Sequence, residues 1–342
     1  MKRYKKEITF TSFENLVLSI YLVGYKNIGE SIVVLFHDAG KEEKEPVFSF
    51  VVDSYKKDDL FLTKKILDDN EVKGLDIVCW THPHRDHTPG IDEIVEQYFK
   101  PDMWFFMPMF YFGNLRQDLL KTESAFTEEA NKSLGKILKK KDKSNNVKNA
   151  IIANGDITKH YPILMKTEDG VCRDLDFYFL TPYGNLIDQY VIKGTEISKP
   201  NDLSISFIMS VDGYDFFFGG DIENNHADHI DKQLIRGMRW IKVPHHCSKS
   251  GEVICNNINP CFNYAASTVF TSSGLPESEI QEKYAQKGRL FMTQLKDMEL
   301  IQEYGIVQFN YIFRKEDVLV TIETYGNAHE YLKVEKDEED NS

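Results

Sequence analysis

THPHRDHTPG, Thr81 to Gly90, follows directly on the apolar run LDIVCW, Leu75 to Trp80. It sets three histidines and one aspartate within six residues at the end of a predicted buried strand. Imidazole nitrogens and carboxylate oxygens are the ligands of zinc and similar divalent ions. In an extended turn side chains alternate, so His82, His84 and Asp86 share one direction. Pro83 holds His82 in that extended state. Asp86 and His87 are adjacent and diverge, so the loop offers two ligands to one ion and two to a second. Pro89 and Gly90 then let a helix begin.

Outward from this loop, short β-rich runs alternate with helical stretches. SIVVLF (Ser31 to Phe36), VFSFVVD (Val47 to Asp53), MWFF (Met103 to Phe106), DFYFL (Asp176 to Leu180), LSISFIMS (Leu203 to Ser210), YDFFF (Tyr214 to Phe218), WIKV (Trp240 to Val243) and STVFT (Ser267 to Thr271) read as strands. RLFMT and a final pair, Ile306 to Phe313 and Val318 to Thr324, close the pattern. Helices are predicted near Leu60 to Asp69, Asp92 to Phe99, Asn225 to Arg236 and Glu277 to Lys287. Two strand-rich halves with helices between them predict an α/β protein of two packed sheets covered by helices.

The 342 residues carry a net charge of −13, 42% apolar residues and 28% charged ones, which excludes bulk disorder and a disulfide scaffold. Five cysteines, without CxxC spacing, predict a reducing, cytoplasmic setting. No apolar run is long enough for a membrane span, and the basic start MKRYKKEITF lacks a cleavage pattern, so no membrane partner is expected. A single domain over residues 1–332 is expected, with a basic helical insert around 114–150 and an acidic, disordered tail at 333–342. Lys132 to Lys148 holds seven Lys and one Asp, +6, which leaves −19 for the remainder.

A second carboxylate stands out. Asp221 follows FFFGG; Gly219 and Gly220 allow close backbone approach, and a carboxylate after such an apolar strand requires a compensating charge. Downstream, VPHHCSKS, Val243 to Ser250, ends another strand with a histidine pair.

Together these segments resemble the metallo-β-lactamase fold superfamily. Thr81 to Gly90 fits its HxHxDH signature, and NDLSISFIMSVDGYDFFFGGDIE, Asn201 to Glu223, is similar to its strand–hairpin–strand–GD segment. VPHHCSKS resembles the HHGS segment of one branch, the hydrolase domain of the DNA-uptake protein ComEC. GESIVVLF, SFVVDSY and GLPES occupy the places of other motifs of that branch, so the likeness runs from about Gly24 to Thr293. It implies an αββα sandwich, two mixed sheets face to face with helices outside, and two divalent metal ions, zinc first and manganese as alternative. It implies His82 and His84 as ligands of the first ion, Asp86 and His87 of the second, Asp221 as the bridge, and His245 completing the second site. His246 would orient ligands or touch substrate. Asn201 stands where many members have a histidine, Cys247 replaces the glycine of HHGS, and Leu275 stands where the branch often has a histidine. Asp53 matches an aspartate that supports the metal loop.

The expected function is a metal-dependent hydrolase, a phosphodiesterase or nuclease in which two ions share a hydroxide. Asp86 would accept a proton while ligating, and His246 and Ser248 are the other expected catalytic residues, Ser248 with Lys249 binding a phosphate oxygen. The Lys132–Lys148 run would guide nucleic acid. Two alternatives remain open: hydrolysis of a small ester, thioester, lactam or nucleotide, and a non-catalytic metal-stabilised module of a larger complex. His226 and His229 are read as solvated residues of a surface helix.

Overall fold

The computed structural model describes residues 4–26, 28–108, 150–156, 159–186, 200–260, 263–266, 275–295 and 302–332. In chain order the strands are β1 (Lys6–Phe10), β2 (Leu16–Tyr25), β3 (Gly29–Asp38), β4 (Phe48–Val52), β5 (Ile77–Cys79), β6 (Trp104–Pro108), β7 (Ala150–Ala153), β8 (Ile163–Thr167) and β9 (Cys172–Thr181). They continue as β10 (Ser206–Val211), β11 (Tyr214–Phe218), β12 (Trp240–Lys242), β13 (Asn263–Ala266), β14 (Arg289–Met292), β15 (Tyr304–Phe313), β16 (Val318–Gly326) and β17 (His329–Tyr331). Among the described residues they form an eight-stranded sheet, β16-β15-β2-β3-β4-β5-β6-β7, and a nine-stranded sheet, β1-β8-β9-β10-β11-β12-β13-β14-β17.

Both sheets are mixed. Antiparallel strands lead into a parallel run, β4 to β7 in one sheet and β11 to β14 in the other. Strand periodicity explains the layering. In β3, Ile32, Val34 and Phe36 enter the core between the sheets, where they meet Phe177, Phe207 and Phe218. Val33 and Leu35 turn the other way, towards helices α1 (Leu62–Asp69) and α2 (Ile91–Gln97). On the second sheet Phe216, Phe218 and Trp240 face inward. Phe217 and Ile241 face outward, onto helices Glu252–Asn257 and Ser278–Ala285. The result is the αββα sandwich that the sequence predicts.

Several local expectations are corrected. The MKRYKKEITF start contains a strand: β1 pairs parallel with β8 of the nine-stranded sheet, while β2 pairs with β3 of the other, so the first 25 residues tie the two sheets together. The strand expected from Leu203 begins at Ser206, because Pro200–Leu203 turns as a 3-10 helix. The helix expected over Asn225 to Arg236 is a single turn, Asn224–Ala227. Beyond it Asp231 takes the N–H of Gln233 on its side chain, a bond that competes with helix continuation. His226, expected to be solvated, is buried beside Asp202. The Lys132–Lys148 run, STVFT and the 333–342 tail lie outside the described residues. No helix among the described residues is long and apolar enough to cross a membrane.

The loops after β4, β5, β11 and β12 all leave from the carboxyl ends of parallel strands, at one end of the sandwich. Open α/β sheets place ligand sites at such ends. Phe50 anchors the core beneath, with ring centroids 5.7 Å from Phe177 and 5.9 Å from Phe218. Phe50→Ala is expected to cost about 3–5 kcal/mol in urea unfolding. Leu319→Ala on strand β16, 37% exposed, should change stability by less than about 0.5 kcal/mol.

Candidate metal centre

The site is built from four loops, two from each sheet. The Thr81–Gly90 loop is pinned by its own backbone: His87 N–H donates to His84 O, and Thr88 Oγ1 donates to the same carbonyl at 2.7 Å. Glu30 N–H from β3 donates to Asp86 O at 3.0 Å, and Ile205 N–H donates to Thr81 O at 3.1 Å. Opposite, Ser204 Oγ accepts Asp221 N–H at 2.8 Å. Gly220 has φ +52, and an added Cβ would stand 2.6 Å from Ile205 O, so the turn that delivers Asp221 requires glycine.

These loops bring two ligand sets together. His82, His84 and Asp221 form one; Asp86, His87, Asp221 and His246 form the other. Within each, one atom per residue lies within 4.8 Å of all the others, and Asp221 belongs to both. Asp221 Oδ2 is 3.1 Å from His246 Nε2, 3.4 Å from His87 Nε2 and 3.9 Å from His82 Nε2. Asp86 Oδ2 is 3.1 Å from His246 Nε2.

Each of these imidazoles is oriented by an oxygen on its far side. His87 Nδ1 is 2.7 Å from Asp53 Oδ2. Thr81 Oγ1 donates to the same carboxylate oxygen at 2.6 Å, and therefore accepts the proton on His82 Nδ1 at 2.9 Å. His246 Nδ1 lies 3.2 Å from Glu30 Oε2. All three rings thus direct Nε2 inward, the arrangement by which carboxylates and hydroxyls fix metal-binding histidines. Among the described residues the buried Nε2 atoms of His82 and His87 have no hydrogen-bond partner. Buried polar nitrogens left this way are costly unless a ligand takes them up, so the residues present fit a divalent cation.

Charge explains the titration of the cluster. Burial pulls the His82 imidazole well below its usual range, and the neighbouring His87 adds to this. His84 is lowered by burial too. Burial opposes the charged forms of His87 and His246, yet surrounding carboxylates overcome it and hold both well above the usual histidine range. Desolvation likewise opposes ionisation of Asp86 and Asp221, but the facing imidazoles, with Lys242 at Asp221, keep both carboxyls well below theirs.

Not every expected residue joins the cluster. His245, favoured from the motif, points elsewhere: Nε2 is 3.1 Å from Asn201 Nδ2 and Nδ1 is 2.5 Å from Ser250 Oγ. Residues 245 to 247 all have positive φ (45, 50 and 65), and this backbone twist carries His246 rather than His245 to Asp86 and Asp221. Asn201 Nδ2 also lies 3.0 Å from Glu223 Oε1, while its buried Oδ1 has no hydrogen-bond partner among the described residues. Ser248 Oγ accepts Ser250 N–H and reaches Glu277, a capping arrangement. Lys249 pairs at the surface with Glu279. Cys247 is fully buried in the outer apolar cluster, and burial pushes its thiol well up. Asp53 sits behind His87, as expected of a supporting residue.

Two residues escaped the sequence reading: Glu30 and Lys242. Their signal was present, since each is the one charged residue in an otherwise apolar strand stretch, GESIVVLF and WIKV.

To ligate a cation, His87 and His246 must give up protons that the carboxylates hold above the usual range. Zn2+ binding is therefore expected to release protons and to tighten as pH rises through neutrality. Calorimetry in two buffers of different ionisation enthalpy checks this; a buffer-independent enthalpy would contradict it.

No protein-family model and no curated protein matches the chain. Solved structures similar to it include these two. One, a protein assigned as a metal-dependent hydrolase from Parabacteroides distasonis ATCC 8503, aligns over 79% of this chain and 93% of its own, with a TM-score of 0.39 and 14% identity. The other, a diphosphatase from the PhnP family, aligns over 86% of this chain and 98% of its own, with a TM-score of 0.39 and 11% identity. Likeness at this level carries no argument about chemistry, which rests on the residues described above.

Proposed function

We propose that this chain is a metal-dependent hydrolase that binds two divalent ions, zinc or, as the alternative, manganese, and cleaves phosphodiesters. In this reading His82, His84 and Asp221 hold one ion, with Asn201 as the further ligand that the motif assigns to it, and Asp86, His87, Asp221 and His246 hold the other. His246 takes the part that the motif assigned to His245. The observation that carries the reading is the sharing of Asp221 between two compact ligand sets.

Divalent ions held there supply Lewis acidity and a bound water of near-neutral pKa. The chain's own residues do the rest. Asp53, Thr81 and Glu30 hold the imidazole tautomers, so the ligand geometry is set before substrate arrives. Asp86 is the carboxylate that takes a proton from the attacking water. His84 and His245 are the partly exposed histidines of this end of the sandwich and mark the side from which substrate enters. His245, 19% exposed, meets the anionic group of the substrate.

A phosphodiester is favoured over a lactam or thioester because the VPHHCSKS segment resembles the ComEC-type branch, and because paired cations suit an anionic diester. The Lys132–Lys148 run supports a nucleic-acid substrate through its +6 charge. Ser248 is left out of the catalytic set because its hydroxyl serves as a cap.

The test combines metal content with turnover on bis-p-nitrophenyl phosphate, plasmid DNA, single-stranded DNA, RNA, cyclic dinucleotides and a chromogenic lactam. Diester turnover is expected, falling by about 100-fold or more in Asp86→Asn. His246→Ala should lose one ion per chain, whereas His245→Ala should keep both and raise KM. Turnover of the lactam alone, or loss of metal in His245→Ala only, would overturn the assignment. Neutralising the lysines of 132–148 should flatten the salt dependence of DNA cleavage; unchanged kinetics would remove the guiding role.

A further inference from the structure

Glu30 is the second residue of β3, and Lys242 the last residue of β12, so they belong to opposite sheets. Both fall at inward-facing strand positions, in phase with Ile32 and Val34 on β3 and with Trp240 on β12. Both are buried, Lys242 completely. Their side chains meet across the sandwich, Lys242 Nζ to Glu30 Oε1 at 2.6 Å.

We propose that this cross-sheet pair is a positioning device for the candidate metal centre: it orients the Asp221 carboxylate and the His246 ring so that their ligand atoms face one another. The proposal rests on the metal-binding reading above. An ammonium has three donors, and Lys242 directs its own to Glu30 Oε1, to Gly220 O at 2.9 Å and to Asp221 Oδ1 at 3.4 Å. Contact with Lys242 occupies Oδ1 and leaves Oδ2 as the oxygen that faces His82, His87 and His246. Glu30 does the complementary work. Its Oε2 lies 3.2 Å from His246 Nδ1, its Oε1 lies 3.8 Å from His87 Nδ1, and its backbone N–H holds Asp86 O. The side chains of one ion pair therefore reach three of the candidate ligands, His87 from one sheet and Asp221 and His246 from the other, and the Glu30 backbone amide holds the main chain of a fourth, Asp86.

A purely structural role explains this less well. Replacing a buried ion pair by apolar side chains is often neutral or stabilising, so sheet packing alone gives no reason to keep charge here. Positioning does, because an apolar pair would remove the Lys242 contact on Asp221 Oδ1 and the Glu30 contact on His246 Nδ1, two of the constraints on how those side chains turn.

The test uses Lys242→Met, Glu30→Gln and the double variant Glu30→Gln/Lys242→Met. The double variant matters because it removes both charges at once and folds even if a single one is crippled by a buried unpaired charge. Co2+ serves as the probe: its visible absorption reports ligand geometry, and competition with a chromogenic chelator gives affinity. In the double variant, far-ultraviolet circular dichroism is expected to be unchanged. Affinity for one of two Co2+ ions should fall about tenfold to a hundredfold, with an altered absorption band and a lower kcat on bis-p-nitrophenyl phosphate at nearly constant KM. A folded double variant with wild-type Co2+ affinity and spectrum would overturn the positioning role while leaving the metal centre intact. Absence of Co2+ binding by the wild-type chain would overturn the metal reading itself, and the pair's role with it.

Discussion

Four carboxylates, Glu30, Asp53, Asp86 and Asp221, are buried at one end of the sandwich, where each would pay several kcal/mol for leaving water if nothing answered its charge. One buried ammonium, Lys242, answers part of that charge. The remainder falls to imidazoles and to whatever cation they bind. Much of the local architecture follows from this constraint. Histidines from two loops are drawn against aspartates from two sheets, Thr81 relays a hydrogen bond between Asp53 and His82, and the Ser204 hydroxyl with the backbone amides of Glu30 and Ile205 locks the loops. The deep aromatic core below, with Phe50, Phe177, Phe207 and Phe218 in mutual contact, supplies the apolar burial that such a polar end cannot.

The geometry also shows where strain is spent. Left-handed backbone at three successive non-glycine residues, 245 to 247, is costly and persists only where surroundings enforce it. Here His245 N–H donates to Gly220 O, Ser248 N–H to His245 O and Glu277 N–H to Cys247 O, three bonds that hold the turn. Cys247 is notable in this setting. At φ 65 a residue with a Cβ occupies a position that favours glycine. Its thiol repays this by filling the apolar space beside Ile254 and Tyr284.

Much of the architecture was legible in the order of the residues. Alternation and continuous apolar runs identified most of the parallel strands, because a strand buried on both faces has little freedom in composition. The HxHxDH loop was legible as four ligand-type side chains in six residues, and the structure gathers all four around Asp221. Less legible were β1 and β2. A basic start followed by mixed polarity does not announce two strands that bridge the sheets: β8, which pairs with β1, and β15, one of the two neighbours of β2, lie more than a hundred residues away, and only β3 is close in sequence.

The sequence by itself determined the class of the fold, the loop that carries His82, His84, Asp86 and His87, and the carboxylate at Asp221, because periodicity and ligand spacing are local properties of the chain. Only the tertiary structure decided that His246 rather than His245 meets those carboxylates, and that Glu30 and Lys242 stand behind them. The first depends on a left-handed turn whose φ values are set by bonds to distant segments. The second depends on two strands from opposite sheets arriving face to face, which no spacing along the chain encodes.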